Sequence, residues 1–259
     1  EAMGTFGNMV IAEGTVADPR RELGGGDEAT FTASNRWIAT DGPTGAGMGS
    51  VIVDSGAQLS QNGSSSLTIG HASDGTGLLE VKDNGTFDSG TGQTTVRATG
   101  LVSITGGHFD ANGNMVVDGG EVQRSAGTFD LAGGQMLTIQ SGGQFDWAAP
   151  SVTPDPADGL SFTEAGASVL VTGNGSLLRQ ASGSSSLFLG IDNGVSVEAQ
   201  FGGDIEIEAL VMNDGSMTID GAGSTLTGAA GSVIDSHMIG DLGAGPADLT
   251  LSNGATGDL

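Results

Sequence analysis

A glycine, a variable residue, a phenylalanine and an aspartate recur four times in this chain, as Gly85-Thr86-Phe87-Asp88, Gly107-His108-Phe109-Asp110, Gly127-Thr128-Phe129-Asp130 and Gly143-Gln144-Phe145-Asp146. The chain holds only 9 Phe, so four in one tetrapeptide mark a repeat. Their spacings of 22, 20 and 16 residues lie within or near the period at which a chain winds into stacked β-rungs. In such a winding, equivalent residues rise by the ~4.8 Å of hydrogen-bonded strands. Phe87, Phe109, Phe129 and Phe145 then form an internal core ladder, because that rise suits offset ring packing. Strand alternation turns Asp88, Asp110, Asp130 and Asp146 to the outer face. The glycine two places before each Phe supplies the positive φ or the close approach that a corner needs. Asn84-Gly85, Gly106-Gly107 and Gly142-Gly143 are the expected turn dipeptides.

The rest of the 259 residues agrees with a β architecture. Helical i, i+3, i+4, i+7 apolar runs are not convincing anywhere. Short alternating segments recur instead between Gly, Asn, Asp and Ser, as at Ser50-Val51-Ile52-Val53, Leu78-Leu79-Glu80-Val81, Val102-Ser103-Ile104 and Met217-Thr218-Ile219. With 48 Gly and only 6 Pro there is no collagen-like period. The expected fold is all-β, a right-handed parallel β-helix (β-solenoid) with coils of about 20 residues. About a dozen coils would make a rod on the order of 60 Å.

Charge narrows the partners. Against 31 acidic residues stand 7 basic ones, a formal net charge of −24. Nucleic acid and anionic membrane surfaces require clustered Lys and Arg, so neither is an expected partner. No run approaches the apolar length of a membrane helix, and no membrane insertion is expected of this segment. The acidity suits a hydrated, self-repelling surface or one that gathers cations. The absence of cysteine fits a cytosolic protein or a bacterial surface protein exported unfolded.

A longer period is superposed on the short one. Gly63-Ser64-Ser65-Ser66-Leu67 returns after 120 residues as Gly183-Ser184-Ser185-Ser186-Leu187, and Leu67-Thr68-Ile69-Gly70 aligns with Leu187-Phe188-Leu189-Gly190. Residues 1–147 are read as a first solenoid half, with 1–44 as irregular N-terminal coils. Residues 148–166, which carry three prolines from Pro150 to Pro156, are read as an interruption or long turn. Residues 167–259 form the second half, expected to continue beyond Leu259 or to be capped by a neighbour.

The stretch from Leu67-Thr68-Ile69-Gly70 through Gly75-Thr76-Gly77-Leu78-Leu79-Glu80-Val81 to Asn84-Gly85-Thr86-Phe87 resembles the repeats of bacterial autotransporter passengers, of the kind associated with type V secretion and PEP-CTERM proteins. A second match runs from Met238-Ile239-Gly240 through Leu249-Thr250-Leu251 to Asn253-Gly254-Ala255. The resemblance implies a parallel β-helix and an extracellular or cell-surface location, in a bacterium. It carries no activity.

The outward aspartates are the sharpest chemical candidates. Carboxylates about 5 Å apart repel, and a calcium ladder over Asp88, Asp110, Asp130 and Asp146 would relieve them; a solvated row without an ion is the alternative. No other cofactor is expected. His108 occupies the variable position of the tetrapeptide and reads as an exposed filler, while His71 and His237 show no ligand spacing. An enzyme is not expected. Lyases acting on acidic sugars need grouped bases, whereas Arg20, Arg21, Arg36, Lys82, Arg97, Arg124 and Arg179 are scattered. Aromatic platforms for sugars are also scarce, with no Tyr and only Trp37 and Trp147. The expected role is therefore structural or adhesive: a rigid spacer, surface-layer or fibre subunit that self-associates head to tail or joins the cell surface or matrix. A polysaccharide-binding or polysaccharide-degrading β-helix and a calcium-binding surface protein are the alternatives.

Overall fold

A computed structural model of the chain describes residues 9–11, 20–23, 28–31, 35–38, 48–61, 63–71, 75–148, 160–180, 189–228, 238–240 and 246–258. The serine-rich repeat at 183–187, the prolines at 150–156 and His237 lie outside the described residues, as does most of 1–44. The described chain is all β with no helix, and every named strand pair is parallel. It packs as two units, Glu1–Asp130 and Leu131–Leu259.

In the first unit one sheet runs Met9–Ile11, Asn35–Ile38, Ser66–Ile69, Thr94–Arg97, Met115–Asp118, in that order. A second sheet runs Arg20–Leu23, Met48–Val53, Thr76–Lys82, Gly100–Ala111, Glu121–Leu131. Gly100–Ala111 is long enough to meet two predecessors. Its first half pairs with Thr76–Lys82 and its second with Thr86–Asp88, with a register shift between Thr105 and Gly106. In the second unit, Met136–Gln140, Ser168–Thr172, Val195–Gln200, Gly215–Asp220 and Ala247–Ser252 form one sheet. Gln144–Trp147, Leu177–Gln180, Asp204–Ile207, Thr225–Gly228 and Thr256–Asp258 form another. Among the described residues, a four-stranded third sheet, Leu160–Phe162, Leu189–Ile191, Leu210–Met212 and Met238–Ile239, belongs to this unit alone. Leu160–Phe162 thus supplies a regular strand inside the stretch read from sequence as an interruption.

Parallel sheets elsewhere are usually buried on both faces and read as continuous apolar runs. Here each sheet has one inner and one outer face, so period-2 alternation survives in parallel strands. Along Thr76–Lys82, Leu79 and Val81 are buried while Glu80 and Lys82 face outward. Register then converts alternation into aliphatic ladders: Ile69, Val96 and Val117 stack in the first unit. Phe145, Leu178, Ile205 and Leu226 stack in the second.

Several corners are two-residue turns with both central residues at positive φ, at Asp83–Asn84, Ser141–Gly142, Asn193–Gly194 and Phe201–Gly202 among others. Each is closed by an amide three residues on, as Gly85 N–H to Lys82 O at 2.8 Å and Gly143 N–H to Gln140 O at 2.9 Å. Two of these turns therefore lie one residue earlier than the expected dipeptides Asn84-Gly85 and Gly142-Gly143. The motif glycines serve the expected close approach, and Gly127 also has a positive φ of 94°. A Cβ on Gly85 would lie 2.4 Å from Val53 O, one on Gly107 2.7 Å from Gly85 O, and one on Gly127 2.1 Å from Gly107 O. Backbone stacks so closely on backbone there that no side chain fits.

Candidate functional site

The tetrapeptide places its side chains by simple alternation. Phe87, Phe109 and Phe129 are buried, with ring centroids 5.1 Å apart for Phe87 and Phe109 and 5.6 Å for Phe109 and Phe129. Phe145, in the second unit, is buried and stacks on Trp147 at 6.1 Å. The residues on either side of each Phe share the outer face. His108 registers against Thr86, and Asp110 against Asp88, so two outward rows run across the strands.

The aspartate row is held differently at each rung. Asp88 Oδ1 accepts from the Gly90 amide at 2.8 Å and from Asn112 Nδ2 at 2.8 Å. An open cleft beside it is lined by Ser60, Gln61, Thr91 and Asn112. Asp110 Oδ1 lies 2.6 Å from His108 Nε2, and Asp130 Oδ2 lies 3.4 Å from the same nitrogen. His108 Nδ1 is in hydrogen-bond contact with the Thr128 hydroxyl. Burial pushes the Asp110 carboxyl above its ordinary value; His108 opposes that, while Asp130 and Asp88 add to it. In the second unit, the Arg179 guanidinium takes up the Asp146 carboxylate, with Nε 3.1 Å from Oδ1.

His108 is therefore not an exposed filler. Its side chain is about one-third accessible, at 35%, and it faces two carboxylates. The i, i+2 rule that sends Asp110 outward sends His108 to the same face, a signal present in the tetrapeptide itself. Its meeting with Asp130 depends on the next strand and was not readable locally. Among the described residues, His108, Asp110 and Asp130 are the one group of His and carboxylate side chains whose ligand atoms all lie within 4.8 Å of each other.

Lys82 and Arg124, like Arg179, serve as ties. Lys82 Nζ lies 3.2 Å from Asp54 Oδ2. Buried Arg124 donates from Nε and Nη2 to Gly127 O at 3.0 and 2.8 Å, bracing the backbone that leads into Thr128-Phe129-Asp130. No family model, curated protein or solved structure matches this chain.

Proposed function

We propose that the chain is a structural or adhesive β-solenoid of a bacterial cell surface, a right-handed parallel β-helix whose winding is about 20 residues where no insertion lengthens it. The observation that carries this reading is the parallel pairing of strand on strand within each unit, which continues past the register shift at Thr105 and Gly106. In the second unit Ser168–Thr172 pairs with Val195–Gln200, that strand with Gly215–Asp220, and that with Ala247–Ser252, residue for residue. Such ladders resist bending because every backbone group is tied to the rung above and below. Small aliphatic and Phe side chains fill the interior, and an acidic exterior keeps it hydrated. The resemblance to autotransporter passenger repeats supports the same location. Strand edges of this kind pair with like edges, so head-to-tail association into fibres is the partner reaction.

Negative-stain microscopy and sedimentation of the purified chain test this, with and without calcium. Filaments or end-to-end oligomers are expected. Monomers alone, at every concentration and in both conditions, would overturn the fibre role.

A further inference from the structure

We propose that His108 Nε2, Asp110 Oδ1 and Asp130 Oδ2 bind one divalent transition-metal ion of the zinc type on the outer face of the first unit.

The argument starts from ligand chemistry. Calcium takes six to eight oxygen donors and makes little use of imidazole, whereas imidazole with carboxylates suits zinc and its first-row neighbours. The expected calcium row offered oxygen donors only; the fold instead brings a nitrogen donor between two of its carboxylates. In a tetrahedral zinc site, metal bonds of about 2.0–2.2 Å place neighbouring ligand atoms about 3.3–3.6 Å apart. Asp130 Oδ2, at 3.4 Å from Nε2, already lies within that span, and Asp110 Oδ1, at 2.6 Å, reaches it by drawing back about 0.7 Å. Both carboxylates sit on regular strands, Gly100–Ala111 and Glu121–Leu131, so small side-chain rotations complete the set.

A second observation comes from outside the three ligands. Metal-bound histidines as a rule hand their other ring nitrogen to an outer partner, which fixes the ring's direction. Here Thr128 makes that contact with Nδ1 and turns Nε2 toward Asp110 and Asp130. With metal bound, Nδ1–H donates to the Thr128 oxygen and Nε2 gives its lone pair to the ion. Any proton that Nε2 carries in the free protein is released to solvent. The dication also neutralises two carboxylates on neighbouring strands, a like-charge contact that otherwise costs stability. Asp130 is 62% accessible at its side chain, so the ion has an open approach and positions left for water or an external ligand.

Calorimetric titration of the chelator-treated chain with zinc chloride, in excess calcium, tests this. One zinc per chain is expected to bind and to persist in the calcium. His108→Gln and Asp130→Asn should each weaken it at least about tenfold, Thr128→Val about tenfold, and Asp146→Asn not at all. The chain has 3 His, so the His108 ring nitrogens can be followed in the unmodified protein by nitrogen NMR, and zinc is expected to shift Nε2. Any of three results overturns the site: no saturable zinc binding, binding unchanged in His108→Gln and displaced by calcium, or an unmoved Nε2 resonance at saturation. Each would mean that zinc merely joins the counterion cloud.

Discussion

Phe109 lies against Phe87 with ring centroids 5.1 Å apart and planes tilted by 44°, on strands whose register also sets Asp110 against Asp88. One register thus creates a favourable inner contact and an unfavourable outer one. Offset aromatic pairs contribute about 0.5–1.5 kcal/mol beyond their buried area, while like charges directly opposite are destabilising. The chain keeps the register and relieves the outer row separately, with Asn112 on Asp88 and His108 on Asp110.

That division predicts unequal penalties for adjacent residues. Phe109→Ala should cost about 3–5 kcal/mol through the cavity it leaves, and Phe109→Asp more, since it buries an unpaired charge. Asp110→Asn should stay within about 0.5 kcal/mol of the parent. Urea denaturation of the three variants decides it, and equal losses would reverse the inside–outside assignment.

Two aspartates should respond to acid in opposite senses. Asp54 is held below the ordinary carboxylate value, first by the Ser55 hydroxyl and then by Lys82. Its contribution is therefore fully present above the unfolded value of about 3.9 and is lost as pH falls through the lower folded value. Asp110 is raised, chiefly by burial, so its ionised form costs stability above the folded value, and that cost vanishes on acidification. Asp54→Asn should be less stable than the parent near about pH 6, and Asp110→Asn equal or more stable; both gaps should close toward about pH 3. Denaturant midpoints across that range check both signs, and parallel pH profiles for the two variants would contradict them.

Ser176 and Ser224 tie each corner to its neighbour. The Gly142 amide donates to Ser176 Oγ at 3.1 Å while that hydroxyl donates to Thr172 O at 2.8 Å. Ser224 repeats the arrangement with the Gly202 amide at 3.0 Å and Asp220 O at 2.8 Å. Both serines are fully buried, so Ser176→Ala strands the Gly142 amide and should cost about 1–3 kcal/mol. A thermal midpoint indistinguishable from the parent's would show that water replaces the hydroxyl.

Thr94 offers a gain. It sits between Leu67 and Met115 in register, 1% exposed, and its Oγ1 has no hydrogen-bond partner among the described residues. Thr94→Val keeps the branched shape and removes an unpaired buried hydroxyl, so it should stabilise the chain by about 1 kcal/mol. A drop in the urea midpoint would mean that the hydroxyl finds a partner in solution.

Much of this was legible in the residues. Alternation at Leu78-Leu79-Glu80-Val81 and the repeated Gly-x-Phe-Asp are local patterns of period 2, and period 2 by itself decides which side chains face in. The positions of corners were legible only to within a residue, because Gly85 reads as a turn glycine yet is required by the carbonyl of Val53 below it. What the tertiary structure alone decided is which residues meet across strands. In-register partners are 22 residues apart at Phe87 and Phe109 but 33 apart at Phe145 and Leu178, since loops of unequal length intervene. Hence Arg179 reaches Asp146, His108 meets Asp130, and Leu189, although matched in sequence to Ile69 120 residues earlier, falls in a sheet whose described strands all lie in the second unit. A residue's facing is set by its two neighbours in the chain; its partner is set by the summed length of everything between them.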